Sequence, residues 1–267
     1  MSAIRSLVSL WLAGILMLVG CAKPSTEDLD LSEYFTKRGV VGSFLLYDEG
    51  EDQFIQYCHN RCSERFIPAS TFKLLNAQIA LETGVIEDEN EVIEWDGTDW
   101  EISSWNRDHN LQTAMQNSVV WFYQELAHRI GPDRMQQYID LVEYGNQDIS
   151  GPNEVFWLEG NLRISQTEQI DFLKRLYHEE LPFSEETMKT VKAIIVLEET
   201  PEYRLSGKTG WASSVDPDVG WFIGYLEKKG NVYYFATNVN LEGSEESLGK
   251  ISQAITMEIL AALEILE

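Results

Sequence analysis

The sequence predicts an α+β fold, with an antiparallel sheet formed by both chain ends, flanked by helices, and a mostly helical middle region. Three observations carry this reading. Two β-patterned runs near the N-terminus, 41–47 and 53–57, flank the turn Asp48-Glu49-Gly50-Glu51-Asp52. Two more, 220–226 and 232–238, flank Glu227-Lys228-Lys229-Gly230-Asn231 near the C-terminus. Between these hairpins the apolar residues recur at helical spacing. Strands at the two ends with helices between them pack best as one unit with a shared sheet.

Taken in order, the chain opens with a segment that does not belong to the fold. Arg5 precedes an apolar run from Leu7 to Val19, too short for a comfortable membrane span and suited to an export signal. The run ends in Leu18-Val19-Gly20-Cys21, which resembles a bacterial lipobox. Residues 1–20 are therefore expected to be a lipoprotein signal peptide, with Cys21 as the lipid attachment point. An ordinary cleaved signal leaving a soluble periplasmic protein is the alternative. Ala22 follows the cysteine where an inner-membrane retention signal would have Asp, which favours the outer membrane. Residues 21–33, containing Lys23-Pro24-Ser25-Thr26-Glu27-Asp28, read as a tether, and 34–267 as the catalytic domain.

After the first hairpin, 71–83 places Phe72, Leu74, Leu75, Ile79 and Ala80 at helical spacing, closed by Gly84. Helices are expected over 119–130, 132–142 (with Pro132 at the first helical position), 166–177 and 185–197. A final helix is expected from about 245 to 266. No internal repeat, low-complexity tract or long linker interrupts this order.

Composition narrows the function. The 267 residues include 44 acidic and 20 basic side chains, a formal charge of −24, so a nucleic-acid polyanion is a poor partner. Hydrophobic residues make up 44%, with 8 Trp, enough for a sizeable core and unlike a disordered chain. Cys58 and Cys62 lie in Tyr57-Cys58-His59-Asn60-Arg61-Cys62, where an oxidising compartment makes a short-loop disulfide plausible and free thiols the alternative. A metal held by Cys58, His59 and Cys62 lacks a fourth ligand at recognisable spacing, so no metal is expected. His59, His109, His128 and His178 lie in no catalytic pattern. Nucleophile-elbow, zinc-helix, phosphate-loop and dinucleotide motifs are absent.

The chemistry begins at Ser70. A serine followed three residues later by Lys73, at the opening of a helix, puts both side chains on one face, where unpaired N–H groups favour developing negative charge. The pattern alone is weak, and Ser247-Leu248-Gly249-Lys250 repeats it. Context separates the two: Ser70 begins a strong amphipathic helix and is followed in order by Ser118-Val119-Val120 and Lys208-Thr209-Gly210.

With these motifs the sequence resembles the class D β-lactamases, or oxacillinases, of the penicillin-recognising serine acyltransferase superfamily. The resemblance rests on Pro68-Ala69-Ser70-Thr71-Phe72-Lys73, Ser118-Val119-Val120, Tyr144-Gly145-Asn146, Phe156-Trp157-Leu158-Glu159-Gly160, and Lys208-Thr209-Gly210-Trp211 followed by Gly220-Trp221-Phe222-Ile223-Gly224. It implies a β-lactamase/transpeptidase-like fold and a serine hydrolase that opens β-lactam rings through an acyl-enzyme on Ser70. Burial among Phe72, Val120 and Trp157 would keep Lys73 neutral. The neutral amine could act directly as the base; by resemblance it adds carbon dioxide as an N6-carboxylate that serves as general base in both half-reactions. No other cofactor is implied.

The resemblance further makes Trp157 and Val120 stabilisers of that carboxylate, Ser118 the proton shuttle, and Ser70 and Trp211 the backbone donors of the oxyanion hole. Lys208, Thr209, Gly210, Trp211, Tyr144 and Asn146 would meet substrate. A class A enzyme would instead have Ser-Asp-Asn in the middle and a separate glutamate base, both missing here. One departure stands out: the family's carboxylate-binding arginine aligns with Gly249, leaving Arg204 or Lys250 to compensate. The expected partner is a small-molecule β-lactam, with the membrane reached only through the lipid anchor. A non-hydrolytic penicillin-binding or sensor-type lipoprotein, stably acylated, is the alternative.

Overall fold

The computed structural model describes residues 25–57, 60–152 and 154–266. The expected signal peptide, Cys21 and Cys58 therefore lie outside the described residues. The elements in chain order are β1 (Ser25–Asp28), α1 (Ser32–Thr36), β2 (Val41–Asp48), β3 (Gln53–Tyr57), α2 (Lys73–Glu82), α3 (Leu111–Gln116), α4 (Val120–Ile130) and α5 (Pro132–Val142). They continue with α6 (Gln166–Tyr177), α7 (Glu185–Ile194), β4 (Val196–Glu199), β5 (Tyr203–Ala212), β6 (Asp218–Lys228), β7 (Asn231–Leu241) and α8 (Leu248–Ala262).

The seven strands form one sheet in the order β1-β3-β2-β7-β6-β5-β4. The chain ends meet at its centre, where β2 pairs antiparallel with β7 from Val41↔Asn240 to Asp48↔Tyr233. Side chains of β2 alternate between two cores. Phe44 and Leu46 face α1 and α8 with Phe35, Phe235, Ile255 and Ile259, whereas Leu45 and Tyr47 join the helical layer with Tyr234 and Ala236. A strand covered on both faces needs an unbroken apolar run, and 44–47 supplies it.

Four local outcomes differ from the sequence expectation. The helix expected over 185–197 stops at Ile194, and Val196–Glu199 becomes an edge strand, because the β-branched run Ile194-Ile195-Val196 suits a pleated surface. The final helix spans Leu248–Ala262, shorter at both ends than expected. β5 was hidden in sequence by Gly207 and Gly210, which lower strand propensity; a Cβ on Gly207 would lie 2.7 Å from the Ile223 carbonyl of the neighbouring strand. Within the stretch expected as a tether, Ser25–Asp28 pairs in parallel with Gln53–Gln56 at the sheet edge.

The helix predicted over 71–83 starts as a 3-10 turn, Ala69–Phe72, and continues as α2. α2 is the interior helix of the helical layer, buried from Lys73 to Ala80. That position explains how a lysine at its first turn is sealed from water.

Candidate active site

Ser70 sits in the 3-10 turn that leads into α2 and lines a cleft of about 690 Å³ between the helical layer and β5. The turn is shaped by Ala69, whose φ of +50° is unusual for a residue with a side chain. Its N–H donates to the Trp157 carbonyl at 3.0 Å, and Thr71 N–H donates to the Pro68 carbonyl at 3.2 Å. Thr71 Oγ1 also donates to Pro68 O at 2.7 Å and accepts from Gln169 Nε2 at 2.9 Å. Ser70, the candidate nucleophile, thus sits in a turn tied at Ala69 and Thr71 by hydrogen bonds.

Lys73, with 0% of its surface exposed, places Nζ 3.0 Å from Ser70 Oγ. The same nitrogen donates to the Ser118 carbonyl at 2.6 Å and lies 3.1 Å from Ser118 Oγ. Ser118 can offer both oxygens because it is left-handed, at φ +53°, in the joint between α3 and α4. The chain turns there as Ser118 N–H bonds Met115 O and Val119 N–H bonds Ala114 O. Burial first, and then the neighbouring charge of Lys208, hold the Lys73 amine well below its ordinary value. Tyr123 presents its ring 5.3 Å from Nζ. Sequence reasoning missed this contact, although Tyr123 stands one helical turn after Val120.

Lys208 reaches the same hydroxyl from β5. Its Nζ donates to Ser118 Oγ at 3.0 Å and to Thr209 O at 3.0 Å, and burial lowers its pKa to about 7. β4 pairs β5 only at Arg204–Ser206, so beyond Gly207 the outer edge of β5 has no strand partner among the described residues. Thr209, Gly210 and Trp211 line the cleft there. Val120 and Leu158 form its apolar wall together with Ile102 and Trp105, two cleft residues that sequence reasoning did not single out.

Trp157 is buried at 0% exposure, with its ring stacked on Phe72 at 5.4 Å. Its indole Nε1 has no hydrogen-bond partner. A buried orphan N–H costs about 1–3 kcal/mol, so its persistence in the packed interior calls for an acceptor.

Other expectations are redistributed. Tyr144 does not reach the cleft: it is buried at 1% exposure against Phe72 and Phe172. Asn146 does not reach it either and binds backbone, donating to Asn161 O at 2.8 Å and accepting from Arg163 N–H at 2.8 Å. Arg204 faces a separate cavity of about 340 Å³ with Tyr177 and Lys192, away from Thr209, whereas Lys250 borders the cleft. At Gly249 a Cβ would lie 2.9 Å from Gly210 O, so α8 seats directly on β5 where the family's arginine was expected. Cys62 is disulfide-bonded. His109, His128 and His178 bind Thr113, Glu154 and Glu49, and none of them lines the Ser70 cleft.

A second depression, about 710 Å³ and walled by Glu94, Asp96, Glu125 and Glu154, contains no paired nucleophile and base. The Ser70 cleft is therefore the candidate active site. A serine hydroxyl bonded to a buried lysine amine whose charged form burial disfavours, with a second hydroxyl bridging to a second buried lysine, is the arrangement a serine acyl-enzyme catalyst requires.

Comparison with known proteins agrees. The family model described as penicillin binding protein transpeptidase domain matches residues 41–261. The chain is 42% identical over 254 residues to beta-lactamase OXA-48 of Klebsiella pneumoniae, covering 95% of each. A crystal structure of a class D β-lactamase from Nostoc superposes with a TM-score of 0.84 at 45% identity, covering 88% of this chain and 99% of that one. Regulatory protein BlaR1 of Bacillus licheniformis is 38% identical over 238 residues, 88% of this chain but 39% of its own length. The chain belongs to the class D β-lactamases, within the penicillin-binding transpeptidase-domain family.

Proposed function

We propose that the chain hydrolyses β-lactams through an acyl-enzyme on Ser70, with Lys73 working as its N6-carboxylate. The observation that carries this reading is a contact chain. Lys73 Nζ lies 3.0 Å from Ser70 Oγ and 3.1 Å from Ser118 Oγ, and Lys208 Nζ lies 3.0 Å from Ser118 Oγ. Carbon dioxide adds only to a neutral amine, and burial shifts Lys73 toward that form. The orphaned Trp157 N–H fits the group, because a carboxylate is the kind of acceptor it lacks. When present, the carboxylate supplies oxygens able to take the Ser70 proton and later to activate water.

The chain's own groups do the rest. Ser70 Oγ bonds to the lactam carbonyl carbon as the ring C–N bond breaks. Ser118 delivers a proton to the departing nitrogen, and Lys208, hydrogen-bonded to the same oxygen, is placed to restore it. Backbone N–H groups of Ser70 and Trp211 serve the carbonyl oxygen, each donor typically worth about 3 kcal/mol. Thr209 on the cleft wall meets the substrate carboxylate, with Lys208 buried behind Ser118 adding its charge and Lys250 at the rim. Export as a lipoprotein acylated at Cys21 accords with this role at the cell envelope.

Similarity to a regulatory protein supports a second reading, stable acylation without turnover. Steady hydrolysis of a chromogenic cephalosporin, lost in Ser70→Ala, is expected; a single stoichiometric burst would establish the second reading. Activity that neither falls on removal of carbon dioxide nor recovers with bicarbonate would overturn the role of the carboxylate.

A further inference from the structure

We infer that Asn146 is a positioning residue for the Lys73 carboxylate, acting through the loop that carries Trp157. The inference rests on the carboxylated-lysine reading above. The loop between α5 and α6 starts at Tyr144, carries Trp157 against Phe72 and Ala69 in the turn before α2, and returns at Ile164, where it bridges to Phe66. Asn146 closes its neck. Its backbone N–H donates to Arg163 O at 2.9 Å, its side-chain oxygen accepts from Arg163 N–H at 2.8 Å, and its Nδ2 donates to Asn161 O at 2.8 Å. The preceding Gly145 makes the approach possible: at φ +57° its Cβ would fall 2.1 Å from Arg163 O.

No other side chain makes a comparable double tie across this neck among the described residues. Asn161 N–H reaches Ser150 O at 3.0 Å, inside the loop, and Arg163 Nη1 folds back on Gly160 O at 2.7 Å, also inside it. Beyond the neck the loop is fastened to the nucleophile's turn through Trp157 O and Ala69 N–H at 3.0 Å, and to the loop after β5 through Ser214 Oγ and Leu158 O at 2.8 Å. Asn146 contacts neither Lys73 nor the cleft, so its effect on chemistry must pass through the placement of Trp157.

The test compares wild type, Asn146→Ala, Asn146→Asp and Trp157→Phe for bicarbonate dependence, for the ¹³C carbamate resonance formed from ¹³C-bicarbonate, and for Tm. Asn146→Ala is expected to raise the bicarbonate concentration giving half-maximal carbamate signal about tenfold, with turnover restored at saturating bicarbonate. Asn146→Asp, which keeps the acceptor for Arg163 N–H and loses the donation to Asn161 O, should fall between wild type and Asn146→Ala. A lower Tm with an unchanged bicarbonate requirement in both Asn146 variants would overturn the inference, because a purely structural clamp reduces folded protein without altering carboxylate affinity. A wild-type enzyme showing no carbamate resonance would instead defeat the underlying reading.

Discussion

Lys73 and Lys208 converge on one oxygen, the Ser118 hydroxyl, at 3.1 and 3.0 Å. Two ammonium groups so placed in a buried site would repel one another and lose solvation, and both amines are accordingly pushed toward neutrality. The arrangement draws two residues that are commonly surface ammonium groups into one buried hydrogen-bonded cluster.

That convergence has a consequence for stability. In the unfolded chain Lys208 titrates near 10.5, whereas in the fold burial brings it to about 7. Between these values the unfolded state binds more protons, so stability from this group is complete above about 10.5 and is lost as pH falls toward about 7. In bicarbonate-free buffer, Lys208→Met should therefore gain stability relative to wild type as pH is lowered from 9.5 to 7, by about 1 kcal/mol per pH unit. Urea unfolding at several pH values measures the difference, and a pH-independent offset would show that Lys208 is not desolvated.

Lys73→Ala removes the only amine within hydrogen-bonding reach of Ser70 Oγ in the described contacts. Both half-reactions should suffer. Acylation by a penicillin is expected to slow by at least about 100-fold, the usual scale of a lost general base, and any acyl-enzyme formed should persist. Intact-mass measurement against time separates the steps: slow acylation followed by normal release would assign deacylation to another base.

Trp157→Phe keeps a ring against Phe72 and deletes the orphan indole N–H. Bicarbonate should raise the wild-type Tm, because a group bound only by the folded state stabilises it by mass action. The variant should show less than half of that rise at the same bicarbonate concentration, with a correspondingly higher bicarbonate requirement in turnover. Equal Tm shifts in the two proteins would mean that the indole N–H serves something else.

These predictions draw on features of very different visibility in sequence. Ser70, Lys73, Ser118 and Lys208 were legible because each stands in a short motif whose chemistry requires that residue type. The sheet was legible at β2, β3, β6 and β7, where apolar runs or alternation mark buried strands. β5 was not, because the strand that presents Lys208 must also approach Pro68 closely, and Gly210 there erases the β signal: its Cβ would lie 3.1 Å from Pro68 O. Tyr144 and Asn146 were legible as a motif but not in role, since a turn motif reads alike whether it touches substrate or ties down a loop. Only the bonds of Asn146 to Arg163 and Asn161 distinguish the two.

Gly249 seats α8 on β5 at the level of the substrate motif. In Gly249→Ala the new Cβ would meet Gly210 O at 2.9 Å and Thr209 Cβ at 3.1 Å. Because the closer atom belongs to backbone, the helix or the strand must move, and overpacking of this kind typically costs about 1–3 kcal/mol. A fall of about tenfold in kcat/KM is expected, with kcat affected because Trp211, the next residue on the strand after Gly210, is the proposed oxyanion donor. Unchanged kinetics would show that the α8–β5 contact does not set the geometry of Trp211.

Lys250 is the exposed cation at the rim of the cleft, one residue after Gly249 on α8, while Arg204 faces another cavity. For a chain with a formal charge of −24, an anionic substrate depends on such local positive groups, since charges beyond about 10 Å are largely screened at physiological salt. Lys250→Ala should raise KM for a carboxylate-bearing penicillin about threefold to tenfold and leave kcat within about twofold, the signature of binding lost equally from ground and transition states. Lys250→Arg should restore KM. Salt should weaken binding more in wild type than in Lys250→Ala, because the removed contact is the solvent-exposed one. If Arg204→Ala raises KM and Lys250→Ala does not, the substrate carboxylate is held from the other end of β5.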